Sequence, residues 1–158
     1  MLHDSMLVCR AEISLMSYLF EYCAVYAKEE YGVDISRIKF IEKFMQGSWI
    51  RGLLDEFHVR LLHSAARTVF RAFVEEDLEN DFSFIEGHDE VCTCPMELYW
   101  CGWMYALIHC KTMIKAEDIY KKIPISLMMD MYICGHEDSF DRVFRGICDV
   151  YDFVELFD

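Results

Sequence analysis

Basic side chains are scarce in this sequence, and over one long stretch they are missing. From Ala72 to Cys110 there is no lysine or arginine, against nine acids: Glu75, Glu76, Asp77, Glu79, Asp81, Glu86, Asp89, Glu90 and Glu97. Across the 158 residues, 15 Lys and Arg face 28 Asp and Glu, a formal net charge of −13. That balance disfavours direct binding to nucleic acid or to an anionic membrane and makes a basic protein the natural complement.

Other absences narrow the reading further. The seven glycines are scattered, so there is no phosphate-cradling loop of the Walker or dinucleotide type. No G-x-S-x-G elbow or other local nucleophile signature occurs, which argues against an enzyme. The most apolar segment, Leu98 to Cys110, runs for thirteen residues without a formal charge, short of the ~20 a membrane-spanning helix needs. The first residues, MLHDSMLVCRAEISLMSYLF, lack a basic leader before a clean apolar run, so a secretory signal is not expected. Eight cysteines in a chain that is 54% hydrophobic read as reduced, core-filling thiols of a cytoplasmic protein more readily than as a disulfide framework.

What is present is helical periodicity. The segment Glu97 to Cys110, ELYWCGWMYALIHC, puts Leu98, Cys101, Gly102, Tyr105, Ile108 and His109 on one helical face, with Trp100, Trp103, Met104 and Leu107 on the adjoining one. A helix apolar almost all round is expected to be central and buried, with Gly102 admitting a neighbouring helix. Pro95 suits its first turn. Leu7, Val8, Ala11, Leu15, Tyr18, Leu19, Tyr22, Cys23 and Tyr26 recur at spacings of three and four over Ser5 to Tyr31, which predicts a long first helix closed by Gly32 in the left-handed conformation.

A second helix is expected from a cap at Asp34 to about Gln46, a third segment over Trp49–His63, and another over Ala65–Glu79 with Glu75 placed to pair with Arg71. Periodicity is lost between 80 and 94, where a loop or a short hairpin fits. Short helices follow over Ala116–Lys122 and from Pro124 to Gly135. A last helix, capped by Asp138 or Ser139, carries Phe140, Val143, Phe144, Ile147, Val150, Tyr151 and Val154, with an acidic exposed face expected opposite them. The expectation is all-α: one compact multi-helix domain over residues 1–158.

Two pairs of soft donors, Cys92 with Cys94 and Cys134 with His136, are of the type that binds zinc, but C-x-C is tighter than the usual C-x-x-C spacing. The favoured reading is thiols at helix ends, with no metal and no cofactor. His109 and Cys110 lie inside the apolar helix and read as core or edge residues, since helix neighbours point about 100° apart. Trp49 and Trp103 suit anchoring of a protein interface, including a symmetric one in a homo-oligomer.

Tyr99, Trp100, Gly102 and Tyr105, then Ile119 and Tyr120, then Met129 and Tyr132, then His136 and Asp138 form a pattern that resembles a small group of proteins from gut Firmicutes and their mobile elements. The likeness covers about residues 97–143. This chain departs from it at Ala106-Leu107-Ile108-His109-Cys110, where the group has an aromatic-rich, basic end to the helix. Genes of that group sit in toxin–antitoxin-like neighbourhoods, including ones with ADP-ribosyltransferase-type toxins, so the resemblance implies an antitoxin or accessory role.

Size, acidity and missing catalytic motifs converge on a non-enzymatic inhibitor, either an antitoxin or a phage anti-defence protein of the anti-CRISPR type. It would occlude a basic, nucleic-acid- or nucleotide-handling surface of a toxin or defence nuclease. The acids expected to make that contact are Glu75, Glu76, Asp77, Glu79, Asp81, Glu86, Asp89 and Glu90. The alternatives are a metal-stabilised small enzyme or module on Cys92, Cys94, Cys134 and His136, and a homo-oligomeric structural protein.

Overall fold

A computed structural model describes residues 2–47, 50, 65–89 and 94–156, with side chains from residue 9 onward. Among these there are seven α-helices and no β-strand: α1 (Leu2–Tyr31), α2 (Arg37–Gln46), α3 (Ala66–Glu76), α4 (Pro95–Thr112), α5 (Ala116–Lys122), α6 (Ile125–Gly135) and α7 (Phe140–Tyr151). The chain is all-α, and no described helix is long and apolar enough to cross a membrane. The segment expected to be helical over 49–63 lies outside the described residues, Ile50 excepted.

The fold is built on the antiparallel pair α1 and α4. Helix α4 has no polar stripe to give to solvent: Leu98, Cys101, Gly102, Met104, Tyr105, Ile108 and His109 are all buried. Its long contact with α1 is set by Gly102. A β-carbon there would lie 2.4 Å from the Met16 carbonyl oxygen and 3.0 Å from Ser17 Cα, so the two backbones touch where only hydrogen fits. The remaining faces of α4 are covered by α5, α6 and α7. Tyr105 donates a hydrogen bond from its hydroxyl to the Ile123 carbonyl at 2.6 Å, satisfying a buried phenol and fixing the α5–α6 turn to the core helix. Pro95 occupies the first turn of α4, Met113 ends it in the left-handed conformation, and Ser139 caps α7 through the Arg142 N–H. The second core layer is aromatic: Phe40 and Phe44 of α2 meet Phe70 and Phe73 of α3 with ring centroids 5.3–5.5 Å apart.

Three local expectations are corrected. Helix α2 is capped by Ser36 rather than Asp34, its hydroxyl accepting from the Lys39 N–H. The outer face of α7 is of mixed charge rather than acidic, because Arg142 and Arg145 are exposed beside Asp141 and Asp149. Arg71 pairs with Glu30 of α1, not with Glu75: its Nε and Nη2 lie 2.8 and 2.7 Å from the two carboxylate oxygens, while Arg67 reaches Glu30 Oε1 at 3.1 Å and Glu29 at 2.6 Å. A bidentate tertiary fork outcompetes a single i, i+4 contact.

The Arg71 and Arg67 guanidiniums hold the Glu30 carboxyl down at about 2, against an ordinary value of 4.5. A carboxyl depressed in the folded state adds stability that is complete above its unfolded value and lost as pH falls towards the folded one. Glu30→Gln is therefore expected to lower Tm at pH 7, with the gap to wild type closing between pH 4.5 and about 2. A gap independent of pH over that window would disprove the assignment.

Candidate functional site

Two places bring together side chains that the fold alone does not require. The first is the acidic connector between α3 and α4. After α3 the chain turns through Glu79 and Asn80, both at positive φ (51° and 61°), and forms a short 3-10 turn at Phe82–Phe84. Buried Leu78 and Ile85 pin it to the core. Of the stretch expected to be a loop or short hairpin, residues 80–89 are a loop that pairs with the α1–α2 link: Ile35 and Glu86 form an isolated antiparallel bridge, with Ser36 N–H donating to Ile85 O at 2.7 Å and Gly87 N–H to Asp34 O at 3.1 Å.

The acids singled out in the sequence separate on this scaffold. Glu75, Glu76, Glu79, Asp81 and Glu86 are exposed, Asp77 and Asp89 are half-buried, and Glu90 lies outside the described residues. Asp81 caps the 3-10 turn through the Ser83 N–H, and that bond lowers its carboxyl. Asp89 is part of the fold. Its Oδ1 accepts from Ser36 Oγ at 2.6 Å and Ile38 N–H at 3.1 Å, and its Oδ2 accepts from Arg37 N–H at 3.1 Å. A carboxylate from 52 residues away thus serves the N-terminus of α2, where the dipole favours it. Asp89→Ala is expected to cost about 1–2 kcal/mol and to expose the Arg37 and Ile38 amides to hydrogen exchange. Unchanged protection of both amides would contradict this role.

Among the described residues, Glu75, Glu76, Glu79 and Glu86 have no ion-pair partner. The acidic surface gives way at α2, where Lys39 Nζ approaches the Glu86 carbonyl at 3.4 Å and Lys43 Nζ sits 4.8 Å from the ring centroid of exposed Phe84.

The second place is buried between α1 and α4, one turn along α1 from the Gly102 contact. Glu12 is wholly buried there. Its Oε2 lies 2.9 Å from His109 Nδ1 and accepts from the Cys110 thiol at 3.0 Å. Its Oε1 has no hydrogen-bond partner among the described residues. Half-buried Cys9, one turn earlier on α1, lies against Cys110; that neighbour draws the Cys9 thiol down and, with burial and the Glu12 charge, pushes the Cys110 thiol up. His109 and Cys110 do not face each other, as their adjacency in a helix requires, yet both reach one carboxylate on the facing helix. They are therefore a polar cluster rather than inert core. A lone acid at an apolar position of α1, among Ala11, Leu15 and Met16, is the signal that marks it.

Among the described residues, the donors expected to suit zinc do not come together. Cys92 lies outside the described residues. Cys94, exposed at the start of α4, Cys134, exposed on α6, and His136 form no ligating group; His136 Nδ1 is 2.8 Å from the Tyr132 carbonyl and its ring stacks on Tyr132 at 4.5 Å. The seven described cysteines are all free thiols. Trp103 is only partly exposed, its ring stacked on Phe140 of α7 at 4.3 Å and 9°. That leaves it a packing role between α4 and α7. Trp49 lies outside the described residues. Comparison with protein-family models, curated proteins and solved structures gives no match.

Proposed function

We propose that this chain is a non-enzymatic acidic inhibitor, of the antitoxin or anti-defence (anti-CRISPR) type, that binds a basic partner protein and blocks a nucleic-acid- or nucleotide-handling surface. One observation carries the reading: at the end of α3 and on the connector after it, which the core and α2 hold in shape, Glu75, Glu76, Glu79 and Glu86 are exposed with no ion-pair partner among the described residues. A solvated acidic run that only aids solubility has no need of a fixed backbone. A surface that imitates a row of phosphates does, because complementarity to a basic groove depends on where the charges stand. Exposed Phe84, on the same turn, supplies an apolar contact beside the carboxylates.

The test is paired capture from the native host lysate with wild type and with the variant E75K/E76K/E79K/E86K as baits. These four side chains are exposed, so the variant is expected to keep the wild-type Tm, each change falling within about 0.5 kcal/mol. At low salt, wild type is expected to retain one dominant basic protein that the variant loses and that high salt releases. Equal recovery of that protein by both baits would refute charge mimicry at this surface.

A further inference from the structure

We propose that Cys9, Glu12, His109 and Cys110 form a site for a single divalent ion of the zinc class, which would clamp α1 to α4. The donor set is of the kind zinc takes: a carboxylate oxygen, an imidazole nitrogen and two thiolate sulfurs, from two packed helices. The sequence positions permit it. Cys9 and Glu12 are one turn apart on α1, and His109 and Cys110, though divergent on α4, converge on Glu12 from either side.

The spacing agrees with the chemistry. One ligand atom from each of Glu12, His109 and Cys110 lies within 4.8 Å of the others, and all three residues are buried. Ligand atoms around a tetrahedral zinc stand about 3.3–3.8 Å apart, given bond lengths of about 2.0–2.3 Å. The existing 2.9 and 3.0 Å contacts of Glu12 Oε2 would open by a few tenths of an ångström as the ion entered. Cys9 lies against Cys110 at the half-buried edge, outside the mutual 4.8 Å of those three atoms, and would become the fourth ligand by turning its thiol inward as the ion entered.

An independent observation points the same way. Glu12 Oε1 is buried with no hydrogen-bond partner among the described residues, and a carboxylate oxygen stripped of water costs of the order of 1–3 kcal/mol when nothing replaces it. A cation taken by Oε2 and Oε1 together, as a bidentate carboxylate, would satisfy it. Loading would release the two thiol protons to solvent and leave the imidazole neutral, so two thiolates and one carboxylate would meet a dication inside the bundle. The role fitted to a closed, four-protein-ligand site is structural.

The experiment uses the full chain, reduced and stripped with chelator, titrated with Co²⁺ as the probe and then with Zn²⁺. The expected result is one equivalent of Co²⁺ with a thiolate-to-cobalt charge-transfer band, displaced by Zn²⁺. At a hundredfold excess of metal over Kd, Tm should rise by about 5–10 °C. Cys9→Ser and the isosteric Glu12→Gln are expected to weaken binding by about 100-fold or more, beyond what loss of an outer-shell contact brings, while Cys94→Ser and Cys134→Ser leave it unchanged. Folded, reduced wild-type protein that shows no charge-transfer band overturns the proposal without recourse to any variant. So does a band that survives Cys9→Ser and Glu12→Gln at full strength, since the metal would then sit elsewhere.

Discussion

Gly102→Ala is expected to destabilise the protein by about 2–3 kcal/mol, a fall in Tm of about 4–12 °C, although alanine is the better helix former. Intrinsic propensity favours the substitution by about 1 kcal/mol. Against it, the added methyl would stand 2.4 Å from the Met16 carbonyl oxygen and 2.8 Å from its carbon. These are backbone atoms of α1, which no rotamer change can move aside. Either the two longest described helices part along their contact or α4 shifts against α5, α6 and α7. Gly102→Val should cost more still. The control is Gly146→Ala in α7, where a β-carbon meets nothing within 4 Å; there the propensity gain stands alone and Tm should rise. If both alanine variants were stabilised equally, α1 and α4 would not be in contact at Gly102.

The second large effect concerns the imidazole–carboxylate pair. In chelator-treated protein, His109→Leu is expected to cost about 3–5 kcal/mol, because among the described residues the buried Glu12 carboxylate keeps only the Cys110 thiol. Glu12→Met should be costly in the same way, leaving the His109 Nδ1 without its carboxylate. The double variant Glu12→Met/His109→Leu removes both polar groups and fills their space with apolar side chains. It should recover most of the loss, falling within about 1 kcal/mol of wild type or above it, since buried pairs are often no better than a packed apolar replacement. A urea-denaturation cycle over the four proteins measures the coupling. Simple additivity of the two losses would mean that Glu12 and His109 do not face each other across the α1–α4 contact.

That pair also marks the boundary of what the sequence reveals. The central position of α4 is legible because its residues leave no polar stripe, and its start is legible in Pro95. The ends of α1 and α7 are legible in Gly32 and Ser139, whose roles depend on neighbours within one turn. What fails is whatever a distant residue decides. Asp34 stands in the right place to cap α2, but Ser36 does so with Asp89, which is 53 residues away in sequence. Arg71 has an acid one turn on, yet a bidentate partner on α1 takes it. Glu12 is one of five acids in a long helix, and only the packing of α1 on α4 shows that it points inward at His109 and Cys110. The acidic connector is legible as charge alone. That Glu79, Asp81 and Glu86 on it are exposed while Asp89 is tied to α2 depends on Leu78, Ile85 and the bridge to Ile35.

The central claim is that the carboxylates at the end of α3 and on this connector recognise a basic partner, and the most direct test is the affinity for the captured protein measured from low to high salt, with wild type and with E75K/E76K/E79K/E86K. The account predicts wild-type affinity that falls steadily with salt, and a variant about 100-fold weaker or more at low salt, as expected when like charges replace complementary ones. Equal affinities, unmoved by salt, would contradict it.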